Sequence, residues 1–439
     1  KVNQKTLKMK CSNIECYWSK KYLPVYTIDD EIYLNYPTFI VSTVDKFAQL
    51  SWHAVDDNTS KIKSANLFAI ENEWDPPSLI IQDELHLISH QLGSVFAGFE
   101  IIIDLMCQRK GIKPKIIAST ATIKGFKKQC KTLFDRDSQT FPCQGLDAGD
   151  SYFANENRNR DGRKYIGMMT SSSSYTAGQR DIVASLIQLL MPFETKPLKE
   201  NISQSSFNEQ FPQFKNISKY ATLVWYFNST RELGQAQTLV TQDIVEQSKK
   251  LKVRYNKDFK FWRLYNFDNI KELSSNSDKE EIIKILKKLK IDDWKQDDFN
   301  RIDMLLTTCM ISVGVDIGRL GLMLINGQPK NTSEYIQASS RVGRQHPGIV
   351  FTSYNSSKSR DRSHYEDFKG YHQSIYKYVE DTSSTPFTLQ ARERTLRSTI
   401  VSIAKLLCNF KVIIELPPPS MSTLGAVMIP DTLTLSKLV

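Results

Sequence analysis

A chain of 439 residues is too long for a single hydrophobic core, so its length predicts two or three domains. With 40% hydrophobic and 24% charged residues it is globular, and no apolar run approaches the roughly 18 residues that a membrane span requires. The net charge of +10 is compatible with a polyanionic partner, but it does not by itself indicate nucleic acid.

The seven cysteines are scattered without a disulfide framework, which indicates a reducing compartment, here the cytoplasm. Cys11 and Cys16 could supply half of a zinc site. No second pair at usable spacing accompanies them, so ordinary thiols are the favoured interpretation. The first residue is Lys and no signal peptide is evident, so we expect this sequence to be part of a longer chain.

Residues 37–50 predict a strand that leads into a helix. Thr38 to Val41 should form a buried strand, and a helix should begin at Asp45. The hydroxyl groups of Ser42 and Thr43, next to a helix N-terminus, could hold a phosphate. The simpler alternative is a plain connection from strand to helix, capped by Asp45.

The stretch SLIIQDELHLIS, residues 78–89, combines an apolar run with two adjacent carboxylates. Leu79 to Ile81 predict a short buried strand, and Asp83 and Glu84 follow at the end where parallel sheets bind ligands. Such a pair suits metal-nucleotide hydrolysis, since one carboxylate can hold Mg²⁺ while the other orients or deprotonates water. The simpler alternative is a turn whose acids cap the next helix.

A helix and a second strand follow this stretch. Apolar side chains recur at helical spacing up to Gly111, and they are Val95, Phe99, Ile102, Ile103 and Met106. Residues 115–123, KIIASTATI, then predict a strand that ends in hydroxyl groups at Ser119, Thr120 and Thr122. A right-handed crossover places both strands in one parallel sheet, so these hydroxyls should lie near Asp83 and Glu84.

Residues 135–219 are polar and irregular, and they predict a connector with one helix near residues 182–190. A second domain should open at residues 221–233, ATLVWYFNSTREL, as a strand, a polar turn that contains Ser229, and a helix. The aromatic residues after Asp361 have helical spacing, which favours packing into a core.

Two further apolar runs, at residues 304–306 and 322–325, predict strands of the second domain. A helix that carries Arg341 and Arg344 should follow them. Arginines three positions apart on a helix point the same way, and two guanidinium groups aimed together recognise a phosphate chain well. The common alternative for such a pair is a salt-bridged helix surface.

Taken in order, these segments resemble the conserved motifs of superfamily 2 helicases. Each motif is weak alone, but their joint order is specific. DELH at 83–86 resembles the DExH box, TAT at 120–122 the SAT motif, TTCMISVGVDI at 307–317 motif V, and YIQASSRVGR at 335–344 motif VI. A finer resemblance, to the helicase subunits of DISARM anti-phage defence systems, lies in residues 23–50, 141–154 and 363–394.

The resemblance implies an α/β fold with two RecA-like parallel-sheet domains, the first incomplete at its N-terminus, and a helical C-terminal extension. We place the first domain at residues 1–150, a connector at 151–219, the second domain at 220–360 and the extension at 361–439. The implied activity is ATP hydrolysis that drives a DNA translocase or helicase subunit of a bacterial defence system. ATP and Mg²⁺ are the implied cofactors. DNA and a protein with a DUF1998 domain are the implied partners, and no membrane is implied.

The resemblance also implies roles for the residues that match the motifs. Catalysis would fall to Asp83, Glu84, Arg341 and Arg344. Nucleotide binding would involve Asp83 as the Mg²⁺ ligand together with Glu84, Gly314, Asp316 and Gln337. His86, Thr120 and Thr122 would couple the ATP and DNA sites, and Thr43, Ser229 and Thr308 would contact the nucleic acid.

The sequence departs from the family pattern at three places. No GxxxxGK[ST] loop occurs in these residues, so ATP turnover would require such a loop upstream of Lys1. Ala338 and Ser340 replace the usual Arg and Gly of motif VI, and Cys309 stands where many relatives have Asp. The alternative interpretation is therefore a scaffold with a helicase fold that senses nucleotide or binds DNA without turnover.

Overall fold

The structure is a computed structural model, and part of the chain lies outside its description. It describes residues 8–54, 63–69, 73–108, 111, 113–120, 124–143, 145–146, 150–154, 157, 159, 161–188, 219–255, 267–274, 277–290, 302–308, 317–381 and 384–407. These residues form two parallel-sheet units and a helical segment that follows the second unit.

The first unit contains a two-stranded parallel sheet and several helices. Its helices are α1 (Tyr17–Lys20), α2 (Asp29–Asn35), α3 (Val44–Ala48), α4 (His90–Gln108) and α5 (Phe126–Phe134), with 3-10 turns at Leu50–His53, Ser64–Phe68 and Leu85–Leu87. Strand β1 (Leu79–Gln82) pairs in parallel with β2 (Lys115–Ala118), so that Gln82 lies beside Ala118. The predicted strand, helix and strand around the acidic pair are thus confirmed.

Two predictions for the first unit were wrong. The strand at residues 79–82 is not buried, because no described residue covers the face of the sheet on which Leu79 and Ile81 lie exposed. Residues 38–41 form no strand, and Phe39 and Val41 are exposed. A strand needs a neighbour for its backbone hydrogen bonds, and the described sheet provides none at this position.

The second unit is a six-stranded parallel sheet with the strand order β3-β8-β7-β4-β6-β5. Its strands are β3 (Arg163–Met169), β4 (Leu223–Phe227), β5 (Ile270–Leu273), β6 (Met304–Thr307), β7 (Leu322–Asn326) and β8 (Gly348–Tyr354). Its helices are α6 (Tyr175–Gln188), α7 (Thr230–Thr241), α8 (Asp243–Tyr255), α9 (Lys279–Leu289) and α10 (Thr332–Ser339), with a 3-10 turn at Phe267–Asn269. The strands predicted at 304–306 and 322–325 are confirmed.

Helices cover both faces of the second sheet. Side chains alternate from one face to the other along each strand, so each strand contributes to both helical layers. On β4, Trp225 and Phe227 pack with α6, α7 and α8. Tyr226, between them, packs instead with residues of α9 and α10, among them Ile285 and Tyr335. All five residues of β4 are buried, as expected for a central strand between two helical layers.

The predicted connector at residues 151–219 contains regular structure that the sequence analysis missed. Strand β3 pairs with β8 along its whole length, from Arg163 beside Gly348 to Met169 beside Tyr354. The strand escaped prediction because it is an edge strand within a polar, irregular stretch of sequence. The helix predicted near residues 182–190 is present as α6, and it begins earlier, at Tyr175.

The segment after β8 forms α11 (Ser359–Glu366), α12 (Phe368–Gln373), a 3-10 turn at Ile375–Tyr378, and α13 (Leu389–Leu407). Helix α13 returns to the first unit and packs against α4. At Gly98 the approach is so close that a Cβ atom would lie 2.6 Å from Thr399 Oγ1. Leu406 completes a buried cluster with Ile102 and Met106 of α4. The C-terminal extension therefore contributes to the core of the first unit.

Candidate functional site

Asp83 is held at the end of β1 by two donors to one of its oxygens. Its Oδ1 accepts a hydrogen bond from the backbone N–H of Glu84 at 2.9 Å and another from the Ser119 hydroxyl. Ser119 directly follows β2, and its own N–H donates to Gln82 O at 2.9 Å. The two strand ends thus place the hydroxyl beside the carboxylate, as the sequence analysis expected. Among the described residues, no hydrogen bond is made to the other carboxylate oxygen, Oδ2.

Glu84 occupies a backbone conformation that few residues with a side chain adopt. Its φ of 51° and ψ of 49° lie in the left-handed region, which costs roughly 1 kcal/mol for such a residue. The chain turns sharply here, from β1 into the 3-10 turn Leu85–Leu87. The turn directs the Glu84 carboxylate towards His86, whose Nδ1 lies 3.4 Å from Glu84 Oε2.

His86 connects the two units through its two ring nitrogens. The side-chain N–H of Gln337, on α10 of the second unit, donates to His86 Nε2 at 2.6 Å. Because Nε2 accepts, the ring proton lies on Nδ1 and is donated to Thr120 Oγ1 at 3.0 Å. His86 is buried, and Gln337 is also buried. The structure therefore brings together His86, Thr120 and Gln337, which the sequence separates by up to 251 positions.

The turn that carries His86 is anchored from behind by Gln129 on α5. This side chain is 1% exposed, and its amide N–H group donates to Ile88 O at 2.7 Å and to Leu85 O at 3.3 Å. A buried amide that satisfies two carbonyl groups of an irregular turn fixes the turn rigidly. Gln129 escaped sequence analysis because a glutamine in a helix carries no signal of its contacts.

The two arginines of the motif that begins at Tyr335 lie beyond the helix, so the predicted helical placement was wrong. Helix α10 ends at Ser339, and the chain then turns through Gly343, which has a φ of 70°. A Cβ at Gly343 would meet the backbone of Gly348 at 2.8 Å. This close approach of β8 ends the helix before Arg341, which is half-buried, and Arg344, which is exposed.

Arg163, at the start of β3, holds the turn that contains Arg341. Its Nε donates to Val342 O at 2.6 Å and its terminal nitrogen donates to Ser340 O at 3.1 Å. Charge-assisted bonds of this kind are about twice as strong as neutral ones. Residues 161–163 lie within the predicted connector, so this contact was also missed.

The start of α10 is held by the segment after α12. The Glu380 carboxylate accepts the backbone N–H of Thr332 at 2.9 and 3.0 Å, at the positive end of the helix. The next residue, Asp381, pairs with Lys124 of the first unit at 3.8 Å. Further on, Thr385 N donates to Ser94 Oγ on α4 at 3.0 Å. Glu380, Asp381 and Thr385 therefore tie the helix of Gln337 to the unit that contains His86.

Tyr335, the first residue of the stretch that resembles motif VI, is buried and hydrogen-bonded. Its hydroxyl lies 3.1 Å from Thr352 Oγ1 and 2.9 Å from His372 Nε2. Burial, above all, raises the pKa of Tyr335 well above the ordinary value, and burial lowers the pKa of His372. Both shifts favour the uncharged side chains. The contact between Tyr335 and His372 thus joins α12 to α10 without a buried charge.

The three predicted nucleic-acid contacts occupy different environments. Thr43 is exposed at the N-cap position of α3 and makes no capping hydrogen bond. Ser229 is also exposed, and its hydroxyl oxygen caps α7 by accepting the N–H of Glu232 at 3.3 Å. Thr308 is buried, with its N–H directed to Leu273 O at 3.4 Å. Their roles stay predictions.

Three predicted site residues, Thr122, Gly314 and Asp316, lie outside the described residues. Cys11 and Cys16 are free thiols in the structure. No cluster of three or more potential metal-binding side chains (His, Cys, Asp or Glu) occurs in the described part of the chain. None of the described helices is both long and apolar enough to cross a membrane.

Comparison with known proteins agrees with this architecture. Residues 218–346 match the family described as helicase conserved C-terminal domain. A curated relative, the DISARM protein DrmA of Bacillus paralicheniformis (strain ATCC 9945a / NCIMB 11709 / CD-2), is 40% identical over 92% of this chain. This chain spans only 37% of that relative's length.

Among solved structures, the DUF1998 helicase MrfA has a similar fold. MrfA bound to DNA and AMPPNP aligns with a TM-score of 0.52 and 16% identity, over 82% of this chain and 40% of MrfA. MrfA bound to DNA alone aligns with a TM-score of 0.53 and 15% identity, over 81% of this chain and 40% of MrfA. The α/β fold class with two RecA-like units and a helical extension is thereby confirmed. The chain is similar to the DUF1998 helicase MrfA in fold, and to the DISARM protein DrmA over 92% of its sequence, as its motifs predicted.

Proposed function

We propose that this chain contributes the acidic pair and the arginine turn to the ATP-hydrolysing core of a DNA translocase or helicase in a bacterial anti-phage system of the DISARM type. The observation that carries the proposal is the contact between His86 and Gln337, Nε2 to Nε2 at 2.6 Å. It joins the turn of the acidic pair to the helix that precedes Arg341. A site divided between two units ties hydrolysis to closure of the cleft between them.

The residues present fit a metal-nucleotide complex. Asp83 Oδ2 is available for a cation, directly or through water, while Oδ1 is held by Glu84 N and Ser119. Bound Mg²⁺ would neutralise phosphate charge and orient the nucleotide. Glu84 would accept a proton from the attacking water. Arg341, half-buried at the turn fixed by Arg163, and Arg344 would stabilise the negative charge that develops on the phosphate.

Communication with DNA would pass through the buried contacts of His86. Thr120 and Thr122 follow β2, Gly314 and Asp316 would line the nucleotide cleft, and Thr43, Ser229 and Thr308 would contact the DNA backbone. The structures of the helicase MrfA that include DNA support DNA as the substrate. A partner with a DUF1998 domain and a cytoplasmic location belong to the same proposal, as do the domain boundaries at residues 150, 219 and 360.

The test is ATP hydrolysis by the full-length protein with and without DNA. We expect hydrolysis that depends on Mg²⁺ and rises with DNA, and we expect Glu84→Gln to abolish the rate while DNA binding persists. Glu366→Gln, at an exposed glutamate of α11, is the matched control. An unchanged rate in Glu84→Gln would refute the assignment. A protein that binds DNA but never hydrolyses ATP would instead be the non-hydrolysing scaffold.

A further inference from the structure

Exposed cations gather at the carboxyl edge of the second sheet, on two elements that are distant in sequence. Arg231 lies in the first turn of α7, directly after β4. Lys358 precedes α11, and Arg360 lies in its first turn, shortly after β8. All three side chains are exposed. We call Arg231, Lys358 and Arg360 the edge cation cluster.

An ion pair joins the two elements. Lys358 Nζ lies 3.1 Å from Oε1 of Glu232, which is the residue after Arg231. The other oxygen of Glu232 accepts from the Asn326 side chain at 3.3 Å, at the end of β7. The ends of β4, β7 and β8 are thus bridged by side chains. In open parallel sheets this edge is where ligands bind.

The loop that carries Lys358 is held rigidly by a buried carboxylate. Asp361 is 1% exposed, and it accepts the backbone N–H groups of Asn355 at 2.8 Å and Gln328 at 3.1 Å. These two residues follow β8 and β7. The anchor fixes the start of α11 against the sheet, so Lys358 and Arg360 project from a defined surface and less entropy is lost when a ligand binds.

The charge at this edge is positive after the neighbouring acids are counted. The three cations of the edge cation cluster exceed the two carboxylates of Glu232 and Asp361 by one charge, and Glu232 pairs with Lys358. Arg231 and Arg360 have no carboxylate partner within ion-pair distance among the described residues. The remaining acids of this region, Glu366 and Asp367, follow at the opposite end of α11. Two guanidinium groups and the hydroxyl group of Ser229 are donors that suit a phosphodiester backbone.

We propose that the edge cation cluster binds the phosphate backbone of DNA and extends the contact made at Ser229 across the ends of β4 and β8. The inference rests on the proposed function, because it takes DNA as the ligand. Backbone contacts of this kind carry no sequence information and hold the strand in position. They release counterions, so each contributes to the dependence of affinity on salt.

The test measures binding of the full-length protein to a fluorescein-labelled single strand over a series of salt concentrations. The double variant Arg231→Gln/Arg360→Gln should bind more weakly at low salt. The slope of log affinity against log salt should become shallower by about 1.4, since each neutralised phosphate of a single strand contributes about 0.7. Arg231→Lys/Arg360→Lys should retain the slope, because a phosphate contact needs the charge.

The matched control removes two exposed cations from the helical layer, Lys284→Gln/Lys287→Gln on α9. It loses the same net charge as the Arg231→Gln/Arg360→Gln variant, but at positions outside the edge cation cluster. Its slope should therefore equal that of the unaltered protein. If Arg231→Gln/Arg360→Gln and Lys284→Gln/Lys287→Gln have equal slopes while the unaltered protein binds DNA strongly, the edge site is overturned and the proposed function stands. No DNA binding by the unaltered protein would overturn both. Thermal unfolding checks that each variant is folded.

Discussion

The side chains of His86 and Gln337 meet at 2.6 Å across the two parallel-sheet units, and both are buried. His86 follows the acidic pair Asp83 and Glu84, and Gln337 precedes the arginine turn. A movement that separates the two units at this point would lengthen or break this bond. It is therefore the most direct physical connection between the two halves of the proposed ATP site.

The first prediction concerns the energetic coupling of this pair. His86→Ala and Gln337→Ala should each reduce DNA-stimulated ATP hydrolysis by the full-length protein. Each single variant already loses the shared hydrogen bond, which is worth about 1 kcal/mol. The double variant loses it only once, so its activity should be about fivefold higher than the product of the two single effects. Gln373→Ala, at an exposed position that ends α12, is the control. Simple additivity of the two effects would show that the contact does not couple the units.

The second prediction concerns the support of the arginine turn by Arg163. Arg163→Gln removes charged donors from the carbonyl oxygens of Ser340 and Val342, so we expect the free energy of unfolding to fall by about 1 to 3 kcal/mol. Lys164→Gln, at the exposed neighbouring position of β3, should change it little. Urea denaturation of both variants measures the difference. Equal stability of the two variants would contradict a supporting role.

The third prediction concerns the cap of α10. Glu380→Ala removes the carboxylate that accepts Thr332 N and stabilises the helix dipole, at a cost of about 0.5 to 2 kcal/mol. Glu393→Ala, at an exposed position of α13, has no such role and serves as the control. Thermal unfolding distinguishes them. A melting temperature of Glu380→Ala that matches the control would show that the cap is dispensable.

The fourth prediction concerns pH and Glu100, a buried residue of α4. Burial, reinforced by Asp104 and opposed by Arg136, raises the pKa of Glu100 from 4.5 to about 8. The folded protein then keeps a proton that the unfolded chain releases. Its contribution to stability is present below pH 4.5 and is lost as the pH rises to about 8.

Glu100→Gln should remove this loss, because an amide does not ionise. The free energy of unfolding of the variant, measured by denaturant at several pH values between 5 and about 8, should exceed that of the unaltered protein increasingly as the pH rises. Glu366→Gln, at the exposed position of α11, should follow the unaltered protein. Parallel pH profiles for Glu100→Gln and the unaltered protein would show that Glu100 does not titrate in this range.

Local sequence predicted the parts of the chain whose signal is contained in neighbouring residues. The apolar runs that became β1, β2, β6 and β7 and the acidic pair after β1 were identified correctly, as were the hydroxyl groups after β2. Edge strand β3 was missed, since it lies within a polar, irregular stretch of sequence. The strand at residues 38–41 was predicted wrongly, because β-propensity cannot supply the neighbouring strand that a sheet requires.

The sequence by itself determined the fold class and the chemical groups of the site, because period, composition and motif spacing are local properties of the chain. Only the tertiary structure decided which groups meet. His86 pairs with Gln337, Arg163 reaches the turn of Arg341, Glu380 caps α10, and α13 returns to pack on α4. These contacts join residues that lie far apart in the sequence, and they depend on how helices and sheets pack together, which no short segment encodes.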